Sequence, residues 1–505
     1  MNICTLLDVV SAIDPGRVVL GGADTGADAA DLRDLAARAA TALGGQPGRP
    51  LLFGGQASLA FPVALFGAAW TGRPFAPLNY RLAAQPFAEL VAGQAPALLV
   101  AEERTLAALP PLPAAVEAIS PQAFLERVRA AEPTAADPVD DEDLPAVLLH
   151  TSGTSGRPKV AVLRHRHLTS YVLGGTEAMA AAPDEAALVS VPPYHIAGVA
   201  GLLTGLFSGR RQVQLVDTEP AAWLQTARDE RATHAMVVPT VLARVLDELE
   251  RGGAEPHLPD LRHLSYGGGR MPRPLIERAL RMLPHVGFVN GYGLTETTSS
   301  IAVLGPEDHR TAVASHDPTV RRRLESVGRP LPTVEIEVRD GDGRPVGPGQ
   351  RGELWVRGPQ VSGEYTGAGR LDAEGWFATN DGGWIDEEGY VFVEGRLDDV
   401  IVRGGENMSP GEIEDVLARH PGVAEVGVYG LPDPEWGEIV AASVVAVPGS
   451  GVTEADLREW VARHLRSSRV PAVIRFPDSL PRNDMGKLLR RVLKADAGRD
   501  PAGAR

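Results

Sequence analysis

The segment His150-Thr151-Ser152-Gly153-Thr154-Ser155-Gly156-Arg157-Pro158-Lys159 lies between two short apolar runs, residues 145–149 and 160–163. Apolar runs of this length that are bounded by turn residues are typical of buried strands, so a strand–loop–strand unit is predicted. Glycines let backbone N–H groups approach an anion, hydroxyls add donors, and the final lysine adds positive charge. The segment therefore predicts a phosphate-binding loop. Its spacing is not Gly-x-x-x-x-Gly-Lys-Ser/Thr, so it is not a Walker loop.

Length and composition limit the class of protein. A chain of 505 residues is expected to form two to four domains. Its hydrophobic content of 44% and charged content of 23% are ordinary for a globular protein. The net charge of −16 argues against a nucleic-acid-binding protein, which would present a basic face. A single cysteine, Cys4, excludes a disulfide framework and a cysteine-based metal site, and fits a reducing compartment.

No stretch of the sequence is expected to cross a membrane. The longest apolar stretches, residues 61–70 and 196–207, are shorter than the roughly 18–20 residues that a bilayer requires. The first twenty residues lack a basic region followed by an apolar core, so they do not form a signal peptide. The expected location is therefore the cytoplasm.

Helical and strand patterns alternate along the first two thirds of the chain, which predicts layered α/β sheets with parallel pairing. From about residue 326, short apolar runs separated by turns such as residues 340–343 predict a small antiparallel, barrel-like β unit. A final unit of about a hundred residues follows residues 395–399 and has an α+β pattern. Its first helix is predicted to begin at Pro410, with Ser409 and Glu412 forming a capping box.

Chemically suggestive residues follow several predicted strands, where ligands gather in open α/β sheets. In the run from Asn290 to Glu296, Tyr292 offers a flat face for stacking on a base, and Thr295 can donate to a phosphate oxygen. Glu296 supplies a carboxylate of the kind that Mg²⁺ prefers beside phosphates. Residues 267–269 are three glycines after a strand, which lets the backbone approach a ligand closely.

Taken together and in this order, these motifs resemble those of the adenylate-forming enzymes, which include acyl-CoA synthetases, adenylation domains of peptide synthetases and firefly luciferase. The resemblance covers nearly the whole chain. It implies an N-terminal adenylation domain of residues 1–395 that holds ATP and the acyl pocket. It also implies a mobile C-terminal domain of residues 396–505, with a hinge at 396–399 in which Asp398 matches the family's hinge residue.

The resemblance also implies roles for individual residues. The implied catalytic residues are Lys487, Thr295, Glu296 and His195, and Glu296 is also the implied Mg²⁺ ligand. The residues implied to bind ATP or coenzyme A are Thr151, Ser152, Gly153, Thr154, Ser155, Gly156, Lys159, Gly268, Gly269, Arg270, Asn290, Gly291, Tyr292, Gly293, Asp381, Arg396, Gly404, Gly405 and Glu406. The residues implied to line the acyl pocket are Tyr194, His195, Gly198, Val238, Tyr266, Gly267 and Gly291.

This sequence departs from the family pattern at several of these positions. Asn380 stands where the family's Thr-Gly-Asp motif has glycine, although Asp381 is kept. Tyr266 and Arg270 flank the glycine tract where the family has smaller residues. Residues 194–197 contain no aspartate of the kind that pairs with an amino-acid substrate, which favours a plain carboxylic acid. Gly291 replaces an arginine of malonate-type ligases, which disfavours a dicarboxylate.

The implied activity is that of an acyl-CoA synthetase acting on a fatty or aryl acid with ATP, Mg²⁺ and coenzyme A. A homodimer is compatible with this activity. Three alternatives remain open at this point: an adenylation enzyme that loads a carrier protein or oxidises its adenylate, a dicarboxylate ligase, and a non-catalytic relative that senses a nucleotide. Retention of Lys487, Glu296 and Asp381 together disfavours the sensor.

Overall fold

A computed structural model of the chain describes residues 1–45, 48–151, 159–215, 219–251, 258–403, 406–483 and 486–499. The described residues form a large unit, which ends with the strand that reaches Arg396, and a small unit, which starts with the strand at Ile401. No strand of one unit pairs with a strand of the other among the described residues. This division gives the mixed α/β fold with a small C-terminal unit that was predicted.

The large unit contains twenty-one described strands and thirteen described helices. The strands are β1 (Val18–Leu20), β2 (Ala27–Asp28), β3 (Leu51–Gly54), β4 (Phe75–Pro77), β5 (Ala97–Ala101), β6 (Val116–Ile119), β7 (Pro145–Thr151), β8 (Lys159–Arg164), β9 (Ala186–Val189), β10 (Arg211–Gln214), β11 (His234–Val237), β12 (His263–Gly267), β13 (Gly287–Leu294), β14 (Ser299–Leu304), β15 (Arg329–Pro330), β16 (Glu335–Arg339), β17 (Gly352–Arg357), β18 (Glu364–Tyr365), β19 (Ala368–Gly369), β20 (Phe377–Ile385) and β21 (Val391–Arg396). The helices are α1 (Cys4–Ile13), α2 (Ala29–Leu43), α3 (Ala60–Trp70), α4 (Ala84–Ala92), α5 (Glu103–Ala108), α6 (Pro121–Ala130), α7 (His165–Gly175), α8 (Ile196–Phe207), α9 (Pro220–Asp229), α10 (Pro239–Arg251), α11 (Arg273–Met282), α12 (Pro306–Ala314) and α13 (Pro318–Arg322).

Three sheets organise these elements. The first has the order β15-β14-β13-β12-β11-β9-β10-β1-β2, and its central strands are parallel. The second has the order β19-β18-β8-β7-β4-β3-β5-β6. The third, β16-β17-β20-β21, is antiparallel and is the small β unit that the turn pattern predicted. The alternation of strands and helices had predicted the parallel pairing, which is confirmed.

The two long apolar stretches of the sequence are buried helices. Every residue of α3 is buried, and α8 belongs to the same core cluster as α1 and α2. In the part of the chain that the structure describes, no helix is both long and apolar enough to cross a membrane. Burial on all sides accounts for the absence of a polar face on α3.

The small unit is a single sheet covered by helices. Its strands are β22 (Ile401–Arg403), β23 (Glu406–Met408), β24 (Val423–Asp433), β25 (Gly437–Ala446) and β26 (Val473–Arg475), and its helices are α14 (Pro410–Leu417), α15 (Glu454–His464) and α16 (Arg490–Arg499). The order is β23-β22-β25-β24, with β26 parallel to β25. Ile413, Leu417 and Leu457 pack on this sheet and are fully buried.

The predicted capping box at α14 is wrong. The Ser409 hydroxyl caps nothing in its own helix and instead donates to the backbone oxygen of Glu394 in the large unit, at 2.9 Å. Glu412 lies 3.4 Å from the guanidinium of Arg469. The Ser409 hydroxyl, which local sequence rules assign to the helix N-terminus, therefore binds an acceptor on the large unit instead. This hydrogen bond holds the start of α14 against the large unit.

Candidate functional site

The predicted phosphate-binding loop joins two antiparallel strands. β7 and β8 pair so that Thr151 lies opposite Lys159, and the Thr151 hydroxyl donates to the Lys159 backbone oxygen at 3.3 Å. The Lys159 ammonium lies over the ring of Tyr365, 5.6 Å from its centroid. The predicted residues Ser152, Gly153, Thr154, Ser155 and Gly156 lie outside the described residues, as do Gly404 and Gly405.

Glu296 lies in a one-turn 3₁₀ helix, Thr295–Thr297, between β13 and β14. Its backbone oxygen accepts hydrogen bonds from the N–H groups of Ser362 at 2.9 Å and Gly363 at 3.2 Å. Its carboxylate accepts a hydrogen bond from the Tyr365 hydroxyl. Because Tyr365 also pairs with Ala161 on β8, this tyrosine joins the Glu296 turn to the strand that follows the phosphate loop.

Tyr365 is a site residue that sequence reasoning missed. Burial raises its pKa, and the neighbouring Glu296 carboxylate raises it further, so the hydroxyl stays protonated and donates to that carboxylate. The sequence contains no local signal for this role, since a tyrosine at the end of a two-residue strand is ordinary. Contacts between residues distant in sequence bring the hydroxyl to Glu296, namely the pairing of β18 with β8 and the backbone bonds of Ser362 and Gly363.

A tight hairpin fixes the turn that carries Thr295 and Glu296. A Cβ at Gly293 would lie 1.7 Å from the Ser299 backbone oxygen, so only glycine fits at this crossing. The Gln360 amide, which is buried, donates to the backbone oxygens of Thr297 at 3.0 Å and Ser300 at 2.8 Å. The turn is therefore held from both sides by groups outside it.

Asp381 is the centre of a buried polar cluster on β20. Its carboxylate accepts a hydrogen bond from the Tyr292 hydroxyl at 2.6 Å and lies 3.3 Å from the guanidinium of Arg396. The side chain of Asp381 is only 7% exposed, and burial raises its pKa, while Arg396 and the Tyr292 hydroxyl act in the opposite direction. Two carboxylate oxygens held in this way suit the two hydroxyls of a ribose.

Lys487 reaches the same cluster from the small unit. The Lys487 N–H donates to Asn483 Oδ1 at 2.8 Å, and the Asn483 N–H donates to the Lys487 backbone oxygen at 2.9 Å, which closes a tight turn. Gly486 in this turn is left-handed (φ 72°), and a Cβ there would lie 2.5 Å from Thr240 Oγ1 at the start of α10. The turn is therefore in direct contact with the large unit.

Arg396 interacts electrostatically with Lys487 and with Tyr365. The residue Lys487 is exposed overall, yet burial around its ammonium group lowers its pKa, and Arg396 lowers it further, whereas Asp381 and Asp399 oppose this change. Arg396 also opposes the rise in the pKa of Tyr365. Lys487 of the small unit and Arg396 and Asp381 of the large unit thus interact electrostatically within one site.

The predicted acyl-pocket residues near α8 lie at the end of β9. His195 is the residue before the first turn of α8, and its ring packs against that of Tyr194 with centroids 4.5 Å apart. Tyr194 also makes an edge contact with Tyr80 at 5.3 Å. A Cβ at Gly198 would lie 2.4 Å from the Pro192 backbone oxygen, so the chain can turn into α8 here only with glycine.

The face of the first sheet that lies towards α8 is less tightly covered than the other face. Met236 and Ser265 on this face keep partial exposure, although their neighbours Val237 and Tyr266 are buried in the core beneath α10 and α11. Gln212 on β10 identifies the face that α8 covers, because its buried side-chain amide donates to the Leu202 backbone oxygen on α8 at 2.8 Å. This face is therefore the partly exposed side of the first sheet.

Tyr266 does not contribute its side chain to that face. Its hydroxyl is buried and donates to His309 Nε2 at 2.8 Å, because His309 Nδ1 donates to the Gly305 backbone oxygen at 2.7 Å. Side chains alternate between the two faces of a strand, and Tyr266 lies on the same face of β12 as the core residue Leu264. The expectation that the Tyr266 side chain shapes the pocket is therefore wrong, while Gly267 points to the other face.

Gly267 and Gly291 bring two strands close together beside this face. A Cβ at Gly267 would lie 2.5 Å from the Gly291 backbone oxygen, and a Cβ at Gly291 would lie 2.8 Å from Ser300 Oγ. Val238 follows β11 and is 9% exposed. Asn290, one residue before Gly291, donates its side-chain amide to the Ser326 backbone oxygen at 3.2 Å.

Gly268 and Gly269 are exposed at the carboxyl end of β12, with Gly268 left-handed (φ 75°). Arg270 follows them, and its guanidinium forms an ion pair with the Asp415 carboxylate on α14 of the small unit. The structure therefore gives Arg270 a contact between the units, and the contact with nucleotide that the resemblance implied stays a prediction.

The predicted hinge residue also makes a defined contact. Asp398 lies in a 3₁₀ turn, Leu397–Asp399, between the last strand of the large unit and the first of the small unit. It accepts a hydrogen bond from the Asn380 amide at 2.7 Å. The side chain of Glu406, on β23, pairs with Arg469 within the small unit.

The site contains ligands suited to Mg²⁺ beside a polyphosphate. Among the described residues, no three His, Cys, Asp or Glu side chains are grouped so as to hold a metal ion. Mg²⁺ commonly takes one or two protein carboxylates and completes its shell with water and substrate phosphates. Glu296, at the end of β13 and fixed by Tyr365, fits that pattern.

Family models match both units of the chain. The family model described as AMP-binding enzyme matches residues 11–366, and that of the AMP-binding enzyme C-terminal domain matches residues 412–487. A fatty acid–[acyl-carrier-protein] ligase, ScoC of Streptomyces coeruleorubidus, is 35% identical over 91% of this chain and 88% of its own length. A feruloyl-CoA synthase of Amycolatopsis is 33% identical over 93% of this chain and 94% of its own.

Solved structures are similar over the whole chain. The o-succinylbenzoate CoA synthetase of Bacillus subtilis, solved with its acyl-adenylate OSB-AMP, superposes with a TM-score of 0.82 at 27% identity over 97% of both chains. The same enzyme has been solved with ATP and a magnesium ion. MatB of Rhodopseudomonas palustris with ATP bound gives a TM-score of 0.86 at 26% identity, covering 98% of this chain and 99% of the other.

The apo structure of MatB from the same organism superposes with a TM-score of 0.76, at the same identity and coverage. This chain is therefore more similar to the ATP-bound MatB structure than to the apo structure.

Proposed function

This chain belongs to the adenylate-forming family of AMP-binding enzymes and is an AMP-forming acid–thiol ligase, and we propose that it joins a fatty or aryl carboxylic acid to coenzyme A. In the first step, a carboxylate oxygen attacks the α-phosphorus of ATP, the bond to the pyrophosphate breaks, and an acyl-adenylate forms. In the second step, the thiol attacks the acyl carbon, AMP leaves, and the thiol proton passes to solvent.

The observation that carries this proposal is the convergence of Lys487, Arg396 and Asp381 on one site that also contains Glu296. Asp381 holds the ribose of ATP, and Arg396 contacts the ribose and phosphates. Thr151, Lys159 and the intervening loop bind the phosphates. The Lys487 ammonium stabilises the charge that builds up between the carboxylate and the α-phosphate. Glu296 would hold Mg²⁺, which would supply positive charge beside the phosphates.

The layer between α8 and the first sheet supports one kind of acid. Ser265 on this face and Ser300 beside Gly291 are uncharged hydroxyls. A side chain larger than hydrogen at Gly291 would have to displace Ser300, so no charged residue stands there to pair with a second carboxylate. An apolar or aryl acid with one carboxylate is therefore the proposed substrate class, and a dicarboxylate is not favoured.

One relative supports a second candidate for the thiol acceptor, a carrier protein. ScoC, which is named as a ligase that uses an acyl-carrier protein, is similar to this chain over nine tenths of its length. The thiol of coenzyme A and that of a carrier protein have the same phosphopantetheine chemistry, so the first half-reaction is common to both. The acceptor thus distinguishes two functions of one site.

The proposal is tested by thioester formation with ATP, Mg²⁺ and a panel of aliphatic and aryl acids, offered either free coenzyme A or a phosphopantetheinylated carrier protein. Product with free coenzyme A supports the synthetase. Product only with the carrier protein would show that the acceptor has been wrongly identified, while leaving adenylation intact. No product with either acceptor would contradict the ligase function.

A prediction on Asp381 tests ribose binding separately. Asp381→Ala is expected to weaken ATP binding by roughly ten- to a hundredfold, because hydrogen bonds to a charged group contribute about 1.5–3 kcal/mol. Tyr292→Phe is the matched control, since it removes the hydroxyl that donates to Asp381 but leaves the carboxylate. Titration calorimetry with ATP measures both. Equal ATP affinity in Asp381→Ala and wild type would rule out the role.

A further inference from the structure

Two residues at which this sequence departs from its family, Arg270 and Asn380, both make contacts at the boundary between the units. Arg270 pairs with Asp415 on α14 of the small unit, and Asn380 donates to Asp398 in the connecting turn at 2.7 Å. Both side chains therefore contribute to one boundary, between the large unit and the small unit.

Residues of α14 provide both the charge and the space for the Arg270 side chain. Gly411 and Asp415 are four residues apart on α14, so they share one face of the helix, and Arg419 follows two residues after the helix ends. A Cβ at Gly411 would lie 2.0 Å from Arg270 Nη1, so the glycine leaves the space that the guanidinium occupies. Arg419 lies 3.9 Å from Glu325 of the large unit. One face of α14 is thus fitted to the large unit.

The Asn380 contact needs an unusual backbone. Asn380 has φ 59°, in the left-handed region that glycine occupies freely and that asparagine tolerates better than most residues. This explains how an asparagine can replace the family glycine without changing the path of β20. Its amide then reaches Asp398, and the backbone N–H of Asn380 donates to Glu353 Oε1 at 2.9 Å.

Both contacts exist in the arrangement in which the Lys487 turn touches Thr240. Resting on the function proposed above, we infer that Arg270 and Asn380 are positioning residues for the first half-reaction, which hold the small unit where Lys487 faces Asp381. They act through Lys487. Any arrangement that moves α14 away from the large unit breaks the Arg270–Asp415 pair. The chain is thereby biased towards adenylation.

The first test measures the arrangement without any activity. The only native cysteine, Cys4, is buried, so labels can be placed on Glu307→Cys in the large unit and Arg463→Cys in the small unit. Fluorescence energy transfer between them reports the distance between the units. Arg270→Ala and Asn380→Gly are each expected to broaden the distribution and to reduce the wild-type population. Glycine is chosen at residue 380 because alanine would be strained at φ 59°.

The control is Arg278→Ala, which removes ion pairs with Asp247 and Glu250 that lie within the large unit. It is expected to leave the distance distribution unchanged. The exchange of charges in Arg270→Asp with Asp415→Arg is expected to restore the wild-type distribution. Unchanged distributions in both Arg270→Ala and Asn380→Gly would overturn the inference, whatever the enzyme's activity.

The second test measures the rates of the two half-reactions separately. Arg270→Ala and Asp415→Ala are each expected to slow acyl-adenylate formation by roughly three- to tenfold, since partly exposed ion pairs contribute little individually. Transfer from a supplied acyl-adenylate to the thiol is expected to be unchanged or faster. The double variant is expected to be no slower than either single one. Losses that multiply, or that fall equally on both steps, would show that the residues do not act as a positioning pair.

Discussion

Replacing Lys487 with alanine is expected to lower the rate of acyl-adenylate formation by roughly 10²–10³-fold, the loss typical when one preorganised charge-stabilising donor is removed. The tight turn at Asn483 and the contact of Gly486 with Thr240 place this lysine beside Asp381 and Arg396. Transfer from a supplied acyl-adenylate is expected to be nearly unchanged, because the phosphate bond has already been broken. Single-turnover rates of the two steps measure the difference.

Lys487→Arg is the matched control, and it adds a pH readout. Burial and Arg396 lower the pKa of Lys487 from its usual value of 10.5, so the wild-type adenylation rate should fall at alkaline pH through an apparent pKa below 10.5. The active form is the charged one, so activity is lost as pH rises. A guanidinium stays charged throughout this range, so the alkaline fall should disappear in Lys487→Arg. An unchanged alkaline limb would assign it to another group.

Replacing Asp398 with proline is expected to block the second step while sparing the first. The 3₁₀ turn at Leu397–Asp399 is the only described connection between the last strand of the large unit and the first strand of the small unit. Proline fixes φ near −65°, which lies within the range of a 3₁₀ helix but removes the freedom to leave it. The small unit would then remain in the arrangement that serves adenylation.

Asp398→Ala separates this effect from the loss of the side chain. It removes the acceptor of the Asn380 amide but leaves φ free, so it should resemble Asn380→Gly, with a modestly slower first step and a normal second step. The same single-turnover assays apply. If Asp398→Pro and Asp398→Ala gave identical losses in both steps, the turn would not serve as a hinge.

Much of the fold could be predicted from the sequence because its signals are local. The alternation of apolar runs and helical spacing gave the α/β layers, and the apolar stretches of α3 and α8 were recognised as buried helices. The family resemblance implied that Glu296, Asp381 and Lys487 belong to one site. The turn that holds Glu296 depends on Gly293 and Gln360, and Gln360 is 64 residues away from Glu296 in the sequence.

The errors have a common physical cause, which is that long-range packing decides where a side chain points. Tyr266 was expected in the pocket, but strand parity directs it to His309 in the core. Ser409 was expected to cap its helix, but an oxygen of the large unit accepts its hydroxyl. Tyr365 was not predicted at all, because its partner Glu296 becomes its neighbour through contacts between residues distant in sequence, such as the pairing of β18 with β8.

The most direct test of the account is acid-dependent exchange of pyrophosphate into ATP, measured with wild-type protein, Mg²⁺ and single acids from aliphatic and aryl series. This reaction needs only the first half-reaction, so neither the thiol acceptor nor the motion of the small unit affects it. We predict exchange that depends on the acid, is strongest with a monocarboxylic apolar or aryl acid, and is lost in Lys487→Ala. Folded wild-type protein that gives no exchange above the acid-free background with any of these acids would contradict the account.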